Sequence, residues 1–463
     1  MASSTRQFKL GAFLMQTGHH IAAWRHPDAQ ADAGSNFRHY VALAQKAEAA
    51  KFDAVFLADS VGVRSSNLPS LSRTARSDHF EPLTLLSAIA ALTERIGLIA
   101  TVSTSFNEPF NVARKFASLD QISGGRSGWN LVTSSGTGEA QNFNRDEHFE
   151  HALRYERAAE FHDVVTGLWD SWEDDSFVRD KESGQYFDEA KLHVLNHKGK
   201  HFSVRGPLNV SRSPQGRPVV VQAGASEAGR DLAARTAEVI FVAHQTFDEA
   251  KAFYSDIKRR AAAYGRDPDS VKIMPGIFPV VGRTQAEAEE KFAQLQDLVH
   301  PVVGVSLLSG VIGGFDFSHL PVDGPLPELP ETNGPKSRQR LLVDLARREN
   351  LSIRDLYLRI AGARGHQQVV GTPQSIADQL QQWFEEGGAD GFNIMSPWFP
   401  GGLDDFIELV LPELRRRGLF RTEYEGRTLR EHLGLQRPVH GSAAKAAGAG
   451  TAVRTPAELV ASN

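Results

Sequence analysis

The chain predicts an α/β fold, a (β/α)8 TIM barrel with insertions before strands 5 and 8. Three observations point there. Short apolar runs alternate with longer helix-period segments, and the order repeats until eight strands are counted, which suits a closed parallel barrel better than an open sheet. The 463 residues exceed the roughly 250 of a plain barrel, so the surplus must sit in insertions. The stretch GRSGWNLVTS (Gly125–Ser134) runs from a Gly-Gly break into an apolar strand and stops in hydroxyls at Thr133, Ser134 and Ser135. A buried strand that delivers polar groups at its C-terminal end is how parallel α/β enzymes build their sites.

Taken in order, Lys9–Met15 is the first strand and Phe37–Ala50 its helix. Ala54–Ala58 is the second strand, ending in Asp59, and the Ser/Arg-rich loop Ser60–Asp78 leads to helix Pro82–Glu94. Strand Ile96–Val102, helix Pro109–Ile122 and strand Ser127–Val132 follow, then the long helix Glu150–Trp172. After a first insertion, Glu173–Gly216, come strand Pro218–Gln222, helix Glu227–Thr236, strand Val239–Ala243 and helix Asp248–Tyr264. Val271–Val281 is the seventh strand, interrupted at Pro275 and Gly276, with helix Ala286–Val299 behind it. The second insertion, Pro301–Asp390, holds a Pro/Gly-rich run, helical stretches Ser337–Ile360 and Pro373–Glu386, and a Gly-rich link at Gly362–Gly365. Gly391–Ser396 is the eighth strand, closed by helix Leu403–Arg417. Residues 1–435 are expected to form one domain, with insertions at about 173–216 and 301–390, and residues 436–463 a flexible Ala/Gly/Ser tail. Long connections in a compact domain usually act as lids or binding loops, so the second insertion is the candidate lid.

Composition narrows the function. Hydrophobic residues at 41% and charged residues at 23% are those of a soluble globular protein. A formal charge of −5 on this length argues against nucleic acid or an anionic membrane as partner. Absence of cysteine excludes disulfides, thiolate metal sites and a cysteine nucleophile. No apolar run reaches the roughly 18 residues of a spanning helix, and the first twenty residues carry no signal-peptide pattern, so a cytoplasmic enzyme is expected.

At this point the residues match a family. AAWRHPDAQ (Ala22–Gln30), KFDAVFLADS (Lys51–Ser60), NEPFNVARKFASLDQIS (Asn107–Ser123), GRSGWNLVTS, HFEHALRYERAAEF (His148–Phe161), RGPLNVSRSPQGRPVVVQAGASEAGR (Arg205–Arg230), ADGFNIMSP (Ala389–Pro397) and FRTEYEGRTLREHLGL (Phe420–Leu435) occur in that order. The chain resembles the bacterial-luciferase-like, FMNH2-dependent monooxygenases, in the branch of the nitrilotriacetate/EDTA, dibenzothiophene-sulfone and long-chain alkane enzymes. NEPF, LARRENLSIRDLY (Leu345–Tyr357) and FRTEYEG lean towards the aminopolycarboxylate-oxidising side. The resemblance implies a two-component flavoprotein. FMNH2 would come from a separate NAD(P)H:flavin reductase, with O2 as co-substrate. A small nitrogen- or sulfur-bearing xenobiotic or heterocycle would be oxidised with C–N or C–S cleavage. Relatives suggest a homodimer or homotetramer. The alternatives are deazaflavin-dependent hydride transfer on the same barrel and a non-catalytic flavin-binding relative.

Within that frame, Asp59, Ser103 and Thr104 end strands on the face where a barrel binds ligands, and each can reach a flavin ring or its ribityl chain. Asn130, Thr133 and Ser134 offer donors and acceptors to a flavin edge. His151 and Tyr155, four apart, share one helix face within the family pattern EHxxRY (Glu150–Tyr155). QAGASEAGR (Gln222–Arg230) ends a strand at Gly224 and Ala225 and starts a helix at the N-cap residue Ser226, an anion site suited to the FMN phosphate. No dinucleotide fingerprint appears, because Gln141 breaks the run begun by Gly136 and Gly138. His20, just past the first strand, is the candidate catalytic group for proton management or substrate contact. Arg25, Arg64, Arg73 and Arg76 lie in early loops where a carboxylate substrate would be met. His193, His197 and His201 repeat every four residues, but in a strand–turn–strand pattern, which scatters them, so no metal site is expected.

Overall fold

In the computed structural model, which describes residues 6–63, 67–312, 314–329, 343 and 345–441, the strands are β1 (Lys9–Phe13), β2 (Ala54–Leu57), β3 (Gly97–Ser103), β4 (Ser127–Val132), β5 (His197–Lys198), β6 (Ser203–Val204), β7 (Val219–Ala223), β8 (Val239–Val242), β9 (Lys272–Val281), β10 (Gln367–Gly371) and β11 (Gly391–Ile394). Eight of them, β1–β4, β7–β9 and β11, pair in parallel in a ring that β8 closes by pairing with β9. The antiparallel pair β5–β6 belongs to the first insertion, the strand–turn–strand read from its sequence.

The period-2 alternation of β4 explains its apolar run. Trp129 and Leu131 point outward into the layer shared with the helices, where Phe116, Phe161 and Trp169 lie 5.9–6.2 Å from the Trp129 ring. The Trp129 indole N–H donates to the Val102 carbonyl at 3.1 Å, so this large side chain is buried without an orphaned donor. The Gly-Gly break before it is a left-handed corner: Gly124 caps helix Pro109–Ser123 at φ 69°, and Gly125 follows at φ 94°.

The opposite faces fill the barrel with Phe13, Ala54, Phe56, Ile99, Val219, Val221, Val239 and Met274. Leu429 and Leu433, from the short helix Leu429–Leu433 near the C-terminus, join this inner cluster. Gly97 makes room for them, since a Cβ there would stand 2.4 Å from Leu429 Cδ1. The same helix is anchored by Arg430, whose guanidinium meets the Glu238 carboxylate at 2.5 and 2.9 Å and the Gln215 carbonyl at 3.1 Å. Burial alone would raise the pKa of Glu238, but the charge and hydrogen bonds of Arg430 outweigh it and hold it at about 2.

Three expectations are corrected. The stretch Gln367–Gly371, inside the second insertion, is a ninth parallel strand, β10, outside the ring. It pairs with the outer half of β9, from Ile277 to Val281, while β11 pairs with β9 at Gly276 and Ile277. A ten-residue strand running unbroken through Pro275 and Gly276 can serve both neighbours. Pro373–Glu385 then packs Trp383 and Phe384 into the main core, so this half of the insertion is barrel wall. The first half stands apart from that wall. Helix Pro301–Ile312, unforeseen in the sequence, and helix Ile353–Ala361 form a separate cluster around Val303, Leu308, Leu356 and Tyr357. Much of the predicted stretch Ser337–Ile360 lies outside the described residues. The start of the expected tail is packed instead: Arg437 pairs with Asp174 at 2.6 Å, and Arg212 donates to the Pro438 carbonyl at 2.7 Å, while 442–463 lie outside the described residues.

Replacing Glu238 by Gln leaves a buried guanidinium short of its counter-charge and should lower stability by roughly 3 kcal/mol at pH 7. Because the folded carboxyl is depressed to about 2 from its ordinary 4.5, its contribution is full above pH 4.5 and is lost as pH falls towards 2. Denaturation of wild type and E238Q should show the gap closing as pH drops below 4.5.

Candidate functional site

Two cavities open side by side at the C-terminal rim of the barrel, and Asp59 lines both. The first, a cleft of about 390 Å³, is where most of the sequence candidates meet: Thr133, Ser134, His151, Tyr155, Ala225 and Ser226. Ser226 caps helix Glu227–Thr236, its Oγ accepting from the Gly229 N–H at 3.2 Å, so the positive end of the helix dipole faces the cleft. The Tyr155 hydroxyl stands 3.4 Å from Ser226 Oγ, and the His151 ring lies 4.9 Å from the Tyr155 ring, one turn back on helix His151–Trp169. Ser134 is held in the left-handed region at φ 52°, a conformation unfavourable for serine, and its hydroxyl donates to Ser103 Oγ at 2.9 Å.

Arg154 completes this cleft. Its Nη1 donates to the Ser134 carbonyl at 2.6 Å, and its Nε is buried with no partner among the described residues. A guanidinium with a spare donor, a helix N-terminus, a phenol and two hydroxyls form a donor-rich wall suited to an oxyanion such as a phosphate. Arg154 lies inside the EHxxRY pattern, but nothing in the local sequence distinguishes it from an ordinary helix cation.

The other candidates sit elsewhere. Ser103 is one hydrogen bond behind Ser134. Thr104 is buried, with its hydroxyl turned to the Val132 carbonyl at 3.2 Å. Asn130 points into the barrel, where its Nδ2 donates to Thr101 Oγ1 at 2.8 Å and its Oδ1 is buried without a partner among the described residues. Gly224 borders Tyr155 loosely, since a Cβ there would be 3.7 Å from the hydroxyl. The tighter position is Gly229, where a Cβ would come within 3.1 Å of both Tyr155 Oη and Ser226 Oγ.

His20 requires a correction. It is buried at 1% exposure, its Nδ1 accepts from the Ala22 N–H at 3.2 Å, and its Nε2–H donates to Gln296 Oε1 at 3.0 Å. Both ring nitrogens are engaged by the protein and the ring lines neither cavity. Burial pushes its pKa down to about 4, so it is a neutral packing histidine at pH 7.

The second cavity, about 370 Å³, lies between the loop after β2 and helix Pro301–Ile312. Its walls are apolar at Met15, Ile21, Leu71, Val303 and Leu307, and its polar groups are Asp59, His79, Arg76 and Arg364, among others. His79 Nε2 lies 3.2 Å from Asp59 Oδ1, and that hydrogen bond raises the pKa of the imidazole. Of the loop arginines singled out from sequence, only Arg76 among the described residues lines the cavity. Arg25 and Arg73 are exposed and bonded to backbone carbonyls, and Arg64 lies outside the described residues. The histidines of the first insertion do not converge. His193, His197 and His201 meet Glu173, Glu160 and Glu156, at 2.8, 3.0 and 3.0 Å respectively. His193 does gather with Glu173 and His440, with one ligand atom from each within 4.8 Å of the others.

A parallel barrel with an anion-suited cleft beside a mixed apolar and cationic cavity at its C-terminal rim has the form of a small-molecule barrel enzyme. The chain belongs to the luciferase-like monooxygenase family, which matches residues 15–391. It is 53% identical over 442 residues to N-acetyl-S-(2-succino)cysteine monooxygenase of Bacillus subtilis (strain 168), covering 95% of this chain and 99% of that one. It is 49% identical over 443 residues to nitrilotriacetate monooxygenase component A of Aminobacter aminovorans, covering 94% and 98%. The crystal structure of DmoA from Hyphomicrobium sulfonivorans superposes with a TM-score of 0.86 at 33% identity, covering 98% of each chain. The protein is a flavin-dependent monooxygenase, and one of these relatives is named as component A of its monooxygenase. No single helix among the described residues is long and apolar enough to cross a membrane.

The Asp59–His79 pair is open to a direct measurement. Protonated His79 donates to Asp59, so removing the carboxylate charge in D59N should return the His79 titration towards its ordinary 6.5, downward from the wild-type value, in an NMR titration of the ring protons.

Proposed function

We propose that this protein takes FMNH2 from a separate NAD(P)H:flavin reductase and uses O2 to oxygenate a small organic molecule at a carbon beside nitrogen or sulfur. Bound reduced flavin supplies the two electrons that activate O2; one oxygen enters the substrate, the other leaves as water, and the hydroxylated product breaks at its C–N or C–S bond. The observation that carries the reading is the unpartnered buried Nε of Arg154 beside the Ser226-capped helix N-terminus, in a family that works with reduced flavin. Arg154, Tyr155, His151 and Ser226 would hold the phosphate, with Ser134 and Thr133 along the path towards the barrel axis. Asp59, common to both cavities, would stand where cofactor and substrate compartments meet, with a proton held at His79 Nε2 beside it. Ser103 and Asn130 would support this seat from behind and below. Helix Pro301–Ile312 covers the second cavity with Val303 and Leu307 and would exclude water from it.

Anaerobic titration with photoreduced FMN should give saturable binding. Replacing Arg154 by Met, which removes charge-assisted hydrogen bonds of roughly 1.5–3 kcal/mol, should weaken it about ten- to hundredfold. With reductase, NADH and ¹⁸O2, product should gain one labelled oxygen. Hydride transfer would leave product unlabelled, and mere flavin carriage would show no substrate-dependent oxygen uptake. Absence of saturable FMNH2 binding would overturn the reading. In the same coupled assay, Leu307→Ser should raise the H2O2 released per NADH consumed, because it thins the cover over the second cavity.

A further inference from the structure

One histidine of the first insertion belongs to a cluster that takes no part in either cavity. Just after helix His151–Trp169 the backbone pairs with a later stretch of the insertion: Trp172 bridges Leu192 in antiparallel fashion, the Glu173 N–H donates to the Lys191 carbonyl at 3.1 Å, and the His193 N–H donates to the Ser171 carbonyl at 2.8 Å. That register sets residue 173 opposite 191, and the alternation of extended backbone returns 193 to the same face. Glu173 and His193 are therefore neighbours by construction, with His193 Nε2 lying 2.8 Å from Glu173 Oε1.

The third member comes from the other end of the chain. Beyond helix Leu429–Leu433, Gly434 turns the backbone at φ 67°, and polar contacts lay the following arm along the first insertion. Arg437 pairs with Asp174 at 2.6 Å and donates to the Pro214 carbonyl at 3.0 Å, and Arg212 donates to the Pro438 carbonyl at 2.7 Å. These contacts bring buried His440 to Asp170, whose carbonyl accepts from its Nε2–H at 2.8 Å. A backbone carbonyl on one ring nitrogen is how metal-binding imidazoles are oriented; here it keeps the proton on Nε2 and makes Nδ1 the ligand nitrogen. The His193 and His440 rings lie 5.1 Å apart, and Glu173, His193 and His440 each offer one ligand atom within 4.8 Å of the others.

We propose that Glu173, His193 and His440 form a site for one divalent transition-metal ion, zinc above all, which fastens the C-terminal arm to the first insertion. Two imidazoles and a carboxylate suit zinc, whereas magnesium and calcium take oxygen ligands. Binding is an exchange and not the filling of a vacancy. The ion replaces the proton between His193 Nε2 and Glu173 Oε1, that proton moves to His193 Nδ1, and hydrogen bonds to the ligand atoms give way to metal bonds. Ligand atoms at about 2.1 Å from a tetrahedral ion stand about 3.4 Å apart, so the 4.8 Å spread closes a little on binding. The Glu173 and His193 side chains, 31% and 38% exposed, have room to swing, while His440 is held. Water completes the coordination. The role is structural, because Asp170 caps the far end of the 19-residue helix that begins at His151, which puts the cluster about 28 Å from the anion-suited cleft. The site is independent of the monooxygenase reading.

Titration of tag-free, chelator-stripped protein with zinc chloride, in competition with a fluorescent zinc indicator, tests it. Wild type should take up one equivalent with a dissociation constant in the micromolar range or tighter. E173Q and H193Q, which keep a hydrogen-bonding side chain at partly exposed positions, should each weaken uptake at least tenfold. H197Q, which alters a histidine of the same insertion outside the cluster, should leave it within twofold. In hydrogen exchange, zinc should slow the amides of residues 435–441 in wild type and leave them unchanged in H193Q. No stoichiometric uptake by wild type, or an affinity in H193Q equal to that of wild type, would overturn the site. Uptake that leaves exchange of the arm unaltered would overturn the fastening.

Discussion

Closure of the parallel sheet is the constraint from which the rest follows. Once β8 hydrogen-bonds to β9, every strand of the ring delivers its C-terminal end to one rim, and residues far apart in sequence become neighbours there. Asp59, Thr133, Ser226 and Arg364 owe their proximity to that geometry. Closure also creates an interior that must be filled. The chain fills it with one face of each strand and seals the lower end with Leu429 and Leu433, which Gly97 admits and the Arg430–Glu238 pair holds in place. The lower end is thus closed by packing, and the two cavities open at the upper one.

At that upper rim the physical theme is positive charge held in position by neutral partners. Arg154 hangs from the Ser134 carbonyl, and Arg76 from the Gly18 and His19 carbonyls. Neutral acceptors fix the direction of a guanidinium without cancelling its charge, and in a partly desolvated cavity an unspent charge attracts an anion more strongly than it would in water. Each cavity thus carries a guanidinium, and they differ in their walls: hydroxyls, a phenol and a helix end around one, aliphatic side chains around the other. Asp59, shared by both, and Glu139 in the first cleft supply the opposite sign.

The outer architecture is readable in the sequence because periodicity survives in single elements. Strand β4 shows it well, with Trp129 and Leu131 facing the helices while Asn130 turns inward. What the sequence conceals has equally local causes. β10 reads QQVVG, too short and too polar at its start to announce a strand, and its partner is the surplus length of β9, which no local pattern reveals. His20 and His19 are adjacent and identical in type. Only the fold turns one onto Gln296 and the other onto Arg364. The anion cleft is half legible: Ser226 announces itself as a cap followed by a helix, whereas Arg154 looks like any cation on a helix until its Nε is seen to be buried and unmatched.

The sequence by itself determined the parallel barrel and the flavin-dependent family, because hydrophobic period, caps and ordered motifs are local and add up along the chain. Tertiary structure alone decided that His79 and not His20 lines a cavity, which half of the second insertion becomes barrel wall, and which arginines line the same cavity. Those outcomes depend on distances between residues tens to hundreds of positions apart, and on the desolvation that only a closed, packed rim imposes on a charge.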